Sequence, residues 1–194
     1  MARPREFNRD DALERALQVF WAKGFAATST DDLLQAMEIG RQSLYNAFGD
    51  KRQIYLEALQ SYQQKSLAGH LTRLTSTRSP LEGIRQLLVG LAPEDDRLRA
   101  LGCMGVGAVG EFGTTDPELV ALRKKIAPLL GARLTKRIKE GQASGEIDKG
   151  MKPDDAAGFV QMTMAGMQIA ARGGADAKAL QKLADFAVDR LRPR

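Results

Sequence analysis

Apolar residues recur at intervals of three and four along almost the whole chain, and this spacing constrains the fold more than any other feature. Side chains at these intervals share one face of an α-helix, whereas a half-buried strand alternates apolar and polar residues. Strand-like alternation is nearly absent from the 194 residues. The sequence therefore predicts an all-α protein. Beyond the N-terminal region, helices are expected near 80–92, 95–112, 116–144, 153–173 and 177–191.

The N-terminal region divides into short helices separated by tight turns. The first helix is expected to begin at Asn8, a good N-cap residue, and to stop at Gly24. Thr30 is expected to cap the second helix. The turn 38–40 then leads into a third helix, Arg41 to Phe48. Two short helices joined by a three-residue turn indicate a helix-turn-helix.

The third helix has an unusual outward face. Leu44 and Phe48 are four residues apart and are predicted to face inward. The outward positions are Arg41, Gln42, Tyr45 and Asn46. Arginine and amide side chains pair with base edges in the major groove, and tyrosine hydroxyls bond phosphates. The helix pattern alone leaves two explanations open: a DNA-binding face, or a polar face that only contacts water.

Two helix starts in this region are candidate phosphate sites. Lys51 follows the Gly49 break, where its ammonium and free backbone N–H groups are expected to hold one phosphate. Hydroxyl groups before the second helix are candidates for another. The residues predicted to contact DNA are Thr28, Ser29, Thr30, Arg41, Gln42, Ser43, Tyr45, Asn46 and Lys51.

The segment Thr30 to Lys51 resembles the signature of the TetR family of repressors, and Ala16–Phe20 and Lys23–Phe25 resemble its first helix. The resemblance covers about residues 8–59. It implies a three-helix DNA-binding head on a larger helical body that dimerises and binds a small molecule, which releases the DNA. Under this resemblance the recognition helix is 41–47. Tyr45 and Lys51 then match usual phosphate contacts, and Gln42 matches a base-reading position.

Two positions depart from the family pattern. Glu38 occupies the turn where the family usually has glycine, so either the backbone there is left-handed and strained, or the turn differs slightly from the family's. Its charge is also expected on the DNA side, which would weaken affinity. Gly40 replaces the usual polar cap of the recognition helix and therefore loses a side-chain contact. Neither departure removes the motif.

The expected domains are an N-terminal helix-turn-helix DNA-binding domain at 1–52, a linking helix at about 51–64, and a larger ligand-binding and dimerisation domain at 53–194. An apolar stripe on the last helix suits either the chain's own core or a dimer interface. The family resemblance favours the interface. Its predicted residues are Val160, Leu180, Leu183, Ala184, Ala187, Val188 and Leu191.

The larger domain is rich in methionine and glycine, which favours an adaptable, mainly apolar pocket for an unidentified small-molecule inducer. Its candidate wall residues are Leu88, Cys103, Met104, Val106, Val109, Phe112, Met162, Met164 and Met167. Cys103 suits either a small buried apolar residue or a sensor of electrophiles or oxidants. His70 is interpreted as an ordinary polar helix residue.

Composition argues against other functional classes. The net charge of +5 suggests an acidic partner, but residues 1–52 carry eight basic and eight acidic groups, so charge alone does not identify the DNA-binding region. One cysteine and one histidine argue against a metal site, an enzyme or a cofactor. No apolar run is long enough to span a membrane, and no signal-peptide core is present, so a cytoplasmic location is expected.

The expected function is therefore that of a homodimeric transcriptional regulator, most simply a repressor that an inducer releases from double-stranded operator DNA. Two alternatives stay open at this point. A protein-binding adaptor could use the same fold, and an activator would use the same DNA contacts.

Overall fold

The computed structural model describes residues 7–193, which form ten α-helices and no strand. The helices are α1 Arg9–Lys23, α2 Thr30–Met37, α3 Arg41–Phe48, α4 Lys51–Leu74, α5 Pro80–Val89, α6 Asp96–Leu101, α7 Met104–Phe112, α8 Pro117–Ser144, α9 Pro153–Arg172 and α10 Ala177–Asp189. The prediction of an all-α fold is confirmed. None of these helices is long and apolar enough to cross a lipid bilayer.

The short N-terminal helices are capped by their own side chains. The Asn8 carboxamide accepts hydrogen bonds from the Asp10 and Asp11 backbone, and Gly24 ends α1 at φ +80°, as predicted. The cap of α2 is Ser29, however, and not Thr30. Ser29 accepts from the Asp32 backbone N–H, and the Asp32 carboxylate accepts from the Ser29 backbone in return. This reciprocal capping box fixes the start of α2 one residue earlier than expected.

The described residues form two apolar cores. The head core, formed mainly by α1 to α4, contains Phe20, Leu33, Leu44 and Tyr55, all nearly inaccessible to solvent. Three residues outside these four helices, Met104, Ala108 and Leu119, complete it. The head core therefore does not close on itself, because α7 and the start of α8 supply part of its packing.

The body core lies between α5, α8, α9 and α10. It also includes Leu74 at the C-terminal end of α4 and Leu191, which follows α10. Its most deeply buried members include Leu87, Ile138, Val160 and Ala184. The linking helix α4 extends to Leu74, ten residues beyond its expected end. It therefore contributes to both cores and connects them.

Helices α4 and α8 run side by side in the same direction. Arg52 at the start of α4 pairs with Asp116 just before α8, and Arg137 of α8 donates to the Leu74 carbonyl at the end of α4. Pro128 lies inside α8, which nevertheless continues as one helix.

The predicted helix at 95–112 is in fact two helices. Gly102 ends α6 at φ +61°, a conformation that glycine adopts without penalty, and Cys103 is the N-cap of α7. The break places Cys103 at a corner between the head and the body.

Candidate nucleic-acid interface and adjoining cavity

The outward face of α3 is exposed as the helical pattern predicts. Leu44 and Phe48 anchor the helix in the head core. Exposed side chains cover the opposite face, at Arg41, Gln42, Tyr45 and Asn46, with Ser43 half-buried beside them. Gly40 is the N-cap and provides no side-chain hydrogen bond, so the backbone N–H groups of the first turn remain open.

The polar groups on this face pair only with one another or with exposed neighbours. The Gln42 amide donates to the Asn46 side-chain oxygen at 2.9 Å, and the Arg41 guanidinium pairs with Asp31 at 2.7 Å. Both members of each pair are exposed. Such pairs contribute little stability in water and can exchange for other partners at small cost. The side chains of this face are therefore held in position, but their polar groups are available to bind other partners.

Lys51 is held in place at the start of α4 by an aromatic ring. Its ammonium nitrogen lies 4.2 Å from the centre of the Phe25 ring, within cation–π range. Within residues 7–193, no carboxylate lies within ion-pair distance of this ammonium. Asp50 caps the helix through the Gln53 N–H. The Lys51 ammonium thus remains free to receive an anion.

The phosphate site predicted before α2 fits the structure poorly. Thr28 is 1% exposed, and its hydroxyl donates to the Gly24 carbonyl at 2.6 Å, so the prediction that Thr28 contacts DNA is wrong. Thr30 is half-buried, while Ser29 is exposed but already pairs with Asp32. The Lys23 ammonium, together with Ser29, lowers the pKa of Asp32 to about 2. A permanent negative charge therefore stands at this helix start.

Glu38 adopts the left-handed conformation, with φ +56° and ψ +38°, which was one of the two outcomes expected for the turn. It is the one residue other than glycine with positive φ within residues 7–193. Its carboxylate lies 2.5 Å from the Arg15 guanidinium, and both side chains are largely exposed. The turn therefore keeps the usual backbone geometry despite its unusual residue.

Three polar contacts fasten the head to the body. Arg52 binds both oxygens of Asp116, at 2.9 and 2.8 Å. The Glu111 carboxylate at the end of α7 accepts from the backbone N–H groups of Phe25 and Ala26, at 2.9 and 3.1 Å. The Trp21 indole donates to the Gly102 carbonyl at 3.1 Å.

Arg172 at the end of α9 adds a fourth contact. Its guanidinium donates to the carbonyls of Trp21, Ala22 and Leu101, with the shortest bond at 2.8 Å. Cations at helix C-terminal carbonyls are stabilising. The position of α1 therefore depends directly on the end of α9, as well as on α7.

A cavity of about 510 Å³ lies between α4, α7, α8 and α9 and is open on one side. Five predicted wall residues line it: Cys103, Val106, Val109, Met162 and Met164. Four predicted wall residues do not: Leu88, Met104, Phe112 and Met167. Leu88 and Met167 are buried in the body core, and Met104 and Phe112 pack in the head core.

Sequence reasoning missed the contribution of α4 and α8 to this cavity. The missed residues include Tyr62, Gln63, Ser66, His70, Ile126 and Leu130. His70 Nε2 lies 3.1 Å from the Ser66 hydroxyl, and burial lowers the histidine pKa to about 4, with Arg73 contributing. Burial raises the pKa of Tyr62. The sequence signal for the α4 residues was a run of polar residues inside a predicted helix.

The predicted dimer stripe lies inside the chain. Six of its seven residues are buried in the body core, namely Val160, Leu180, Ala184, Ala187, Val188 and Leu191. They pack against their own chain and offer almost no surface to a partner, which argues against their assignment to the interface. Leu183 is exposed.

A different apolar face on α9 and α10 is open to solvent. Met162 is 70% exposed, Ile169 62% and Phe186 58%. Phe159 and Leu183 are also exposed, and each precedes one of these residues by three positions on the same helix, which makes them surface neighbours. These five residues are here called the α9–α10 apolar face. Isolated exposed apolar residues are common, but several large ones on two adjacent helices indicate an interaction surface.

Comparison with known proteins supports the family resemblance. The family model described as bacterial regulatory proteins of the tetR family matches residues 12–58. The HTH-type transcriptional regulator YezE of Bacillus subtilis (strain 168) is 32% identical over 149 residues, which cover 76% of this chain and 77% of that protein. This chain belongs to the TetR family. It is a TetR-family transcriptional regulator, and the resemblance drawn from Thr30 to Lys51 is confirmed.

Two further relatives match nearly the whole length of this chain. The HTH-type transcriptional repressor ComR of Escherichia coli (strain K12) is 27% identical over 186 residues, covering 94% of this chain and 88% of ComR. A cysteine mutant of the TetR-family regulator CifR, complexed with 26-base-pair double-strand operator DNA, is 28% identical. The structural match covers 98% of this chain and 100% of the CifR chain, with a TM-score of 0.79.

Proposed function

We propose that this TetR-family regulator is a homodimeric repressor that binds operator DNA through α3 and leaves it when a small molecule occupies the body. The observation that carries the proposal is the exposed face of α3, with guanidinium, amide and phenol groups around Gln42 and without internal partners that bury them. Two relatives support it: ComR is named a repressor, and the CifR mutant was solved with operator DNA.

Within this proposal, the α3 side chains have distinct roles. Gln42 and Asn46 read base edges, Arg41 contacts a base or a phosphate, and Tyr45 and Lys51 bind phosphates on either side of the groove. Ser43 and Ser29 are secondary contacts because they are less accessible or already paired. The head at residues 1–52 acts as the DNA-binding domain, and α4 belongs to both the head and the body.

The α9–α10 apolar face is the proposed dimer interface, in place of the buried stripe. A two-fold axis brings the same face of two chains together, so exposed Phe186 and Ile169 would be covered by their counterparts. Dimer symmetry would place two α3 helices in successive major grooves, about 34–36 Å apart, on a near-palindromic site.

Release follows from the connection between the cavity and the head. Val106 and Val109 on α7 line the cavity, and Glu111 on the same helix holds the α1–α2 loop by two backbone hydrogen bonds. A ligand that fits better when α7 and α4 are displaced would shift the heads out of register with the DNA. A preference of about 100-fold for the displaced state is ample coupling.

The experiment that tests the proposal is selection of binding sites from random double-stranded DNA with the purified full-length chain. We expect a near-palindromic consensus, and repression of a reporter whose promoter overlaps it. Lys51→Ala should weaken both binding and repression, whereas Lys178→Ala on exposed α10 should keep both at full strength. Failure to enrich any sequence would contradict the proposal and favour the protein-binding adaptor. Stimulation of the reporter by the bound protein would indicate an activator.

A further inference from the structure

The cavity is elongated along α4 and α8. Because these helices are parallel and held at both ends by the Arg52–Asp116 and Arg137–Leu74 contacts, Arg123 of α8 lies level with Leu59 of α4. His70 is eleven residues further along α4, or about 16 Å at 1.5 Å per residue. Both Arg123 and His70 line the cavity, so its two ends have different chemistry.

The wall has an apolar majority and lacks carboxylates. Ten of its nineteen residues are aliphatic or methionine side chains: Leu67, Val106, Val109, Ile126, Ala127, Leu130, Met162, Met164, Ala165 and Ile169. The remaining nine include neither aspartate nor glutamate, and the one permanent charge is Arg123. Its guanidinium is half-buried and donates to the Gly113 carbonyl at 3.3 Å. A cation would find no counter-charge in this wall.

Two polar atoms on the α4 side of the wall lack hydrogen-bond partners. Within residues 7–193, the buried side-chain nitrogen and oxygen atoms without a partner are Gln63 Oε1 and His70 Nδ1. Residues 63 and 70 are seven apart, so they lie on the same face of α4, with Ser66 between them. An unpaired buried polar atom is costly, and such atoms are rare in folded proteins. Both residues belong to the cavity wall, so a bound molecule with a hydrogen-bonding group would supply a partner that the protein lacks.

From this arrangement we infer that the cavity takes an uncharged, mainly hydrocarbon effector that carries a hydroxyl group, and that this hydroxyl pairs with Gln63 or His70. The inference deepens the proposed function, since it names the chemical class of the inducer. A hydroxyl both donates and accepts, so it satisfies the Gln63 oxygen directly and the His70 nitrogen in either tautomer. The aliphatic wall from α7, α8 and α9 covers the rest of the molecule.

Charged analogues should bind less well for opposite reasons. An ammonium group would be removed from water without any carboxylate in the wall to compensate it. A carboxylate would meet one guanidinium at the head-side end, and that group is partly hydrated and already hydrogen-bonded. One half-buried partner that already has a hydrogen bond does not offset the desolvation of a carboxylate in an apolar cavity.

The test uses four probes that share one hydrocarbon frame: para-propylphenol, propylbenzene, para-propylbenzoate and para-propylbenzylamine. Their binding to the full-length protein is measured by isothermal titration calorimetry at pH 7 without DNA. A hydroxyl makes transfer from water into an apolar space less favourable. Propylphenol should nevertheless bind roughly fivefold tighter than propylbenzene, and the two charged probes should bind at least about tenfold more weakly than the phenol.

Variants locate the hydroxyl. Gln63→Leu or His70→Leu should weaken propylphenol by about tenfold and leave propylbenzene unchanged or tighter. Gln64→Leu, the same change at the exposed neighbour, should alter neither. Ala165→Trp, which adds an indole ring at the cavity wall, should weaken binding of both uncharged probes. Circular dichroism of each variant checks that it is folded.

Several results would overturn the inference: tighter binding of the amine or the benzoate than of the phenol, a phenol preference that survives in both leucine variants, or no binding of any probe to the folded protein. Operator binding is measured separately by fluorescence anisotropy. If the protein binds operator but no probe, the effector class is wrong and the DNA function stands. If it binds the phenol but no operator, the effector class stands and the repressor function fails.

Discussion

Arg52 and Asp116 form a two-point ion pair that joins the first turn of α4 to the N-cap of α8. The guanidinium nitrogen lies 2.9 and 2.8 Å from the two carboxylate oxygens, and the Asp116 side chain is only 13% exposed. The same carboxylate accepts from the Glu118 and Leu119 backbone N–H groups. One residue thus caps the longest helix of the body and holds the linking helix of the head.

Replacing Asp116 by asparagine should separate these two roles. Asparagine is as good an N-cap as aspartate, so α8 should persist, but the ion pair to Arg52 is lost. We expect faster hydrogen exchange of α4 amides at residues 54–60, because the head is less firmly fixed to the body. Asp185→Asn, which breaks the Arg85 ion pair on the body surface, is the matched control and should leave these amides unchanged. Equal exchange in both variants would mean that apolar packing and the remaining Arg52–Glu118 ion pair, at 3.3 Å, are enough to hold α4.

The outward face of α3 could be predicted because, in so short a helix, the positions that must be buried determine which positions are exposed. Leu44 and Phe48 must be buried, and their spacing then fixes which side chains point away. Thr28 could not be placed in the same way. Its hydroxyl satisfies the Gly24 carbonyl in a turn, and sequence spacing does not reveal a local backbone partner of that kind.

The dimer stripe shows a second limit. An amphipathic pattern identifies a face that is buried, but it does not say whether the same chain or another chain buries it. Val188 and Leu180 form such a face on α10, and α5 and α9 of the same chain cover it. The more informative signal was Phe186, a large apolar residue on the opposite side of that helix.

Two substitutions on the proposed DNA face should have different effects. Lys51→Ala should weaken binding to all sequences and lower the salt dependence by about one counterion, since it removes one phosphate contact. Gln42→Ala should mainly relax base preference, at a cost of roughly 1–3 kcal/mol for the cognate site. Fluorescence anisotropy with cognate and scrambled duplexes at several salt concentrations distinguishes the two. If Gln42→Ala keeps both affinity and preference, Gln42 does not read a base.

Glu38→Gly should improve both stability and DNA affinity. Glycine adopts φ +56° without steric cost, which outweighs the loss of an exposed ion pair to Arg15. The net gain in unfolding free energy should be about 0.5–1 kcal/mol by urea denaturation. Glu38→Gln serves as the control, because it removes the charge and keeps the backbone cost. A rise in affinity for both variants, with a rise in stability for glycine alone, is the expected pattern. A less stable glycine variant would show that the Arg15 contact matters more than the backbone.

The α9–α10 apolar face should determine the oligomeric state. Ile169→Glu combined with Phe186→Glu places two charges where the proposed two-fold contact would bury them, so sedimentation equilibrium should show monomers. Both side chains are largely exposed in the chain itself, and the fold should therefore survive. Lys178→Glu on the polar side of α10 should remain dimeric. A dimeric double variant would place the interface on another surface.

His70 should make the protein less stable in mild acid. Burial, with Arg73 contributing, lowers its folded-state pKa to about 4, below the unfolded value of about 6.5. Below pH 6.5 the unfolded chain therefore binds a proton that the folded chain does not, and stability falls until the pH reaches the folded pKa. From pH 7 to pH 5 the loss should be about 2 kcal/mol in urea denaturation. Over the same pH interval, the unfolding free energy of the His70→Gln variant should fall by about 2 kcal/mol less than that of the unmodified protein. The chain has a single histidine, so no other side chain with an ordinary pKa titrates in this window. An equal loss in both proteins would show that His70 is protonated in the fold and accessible to water.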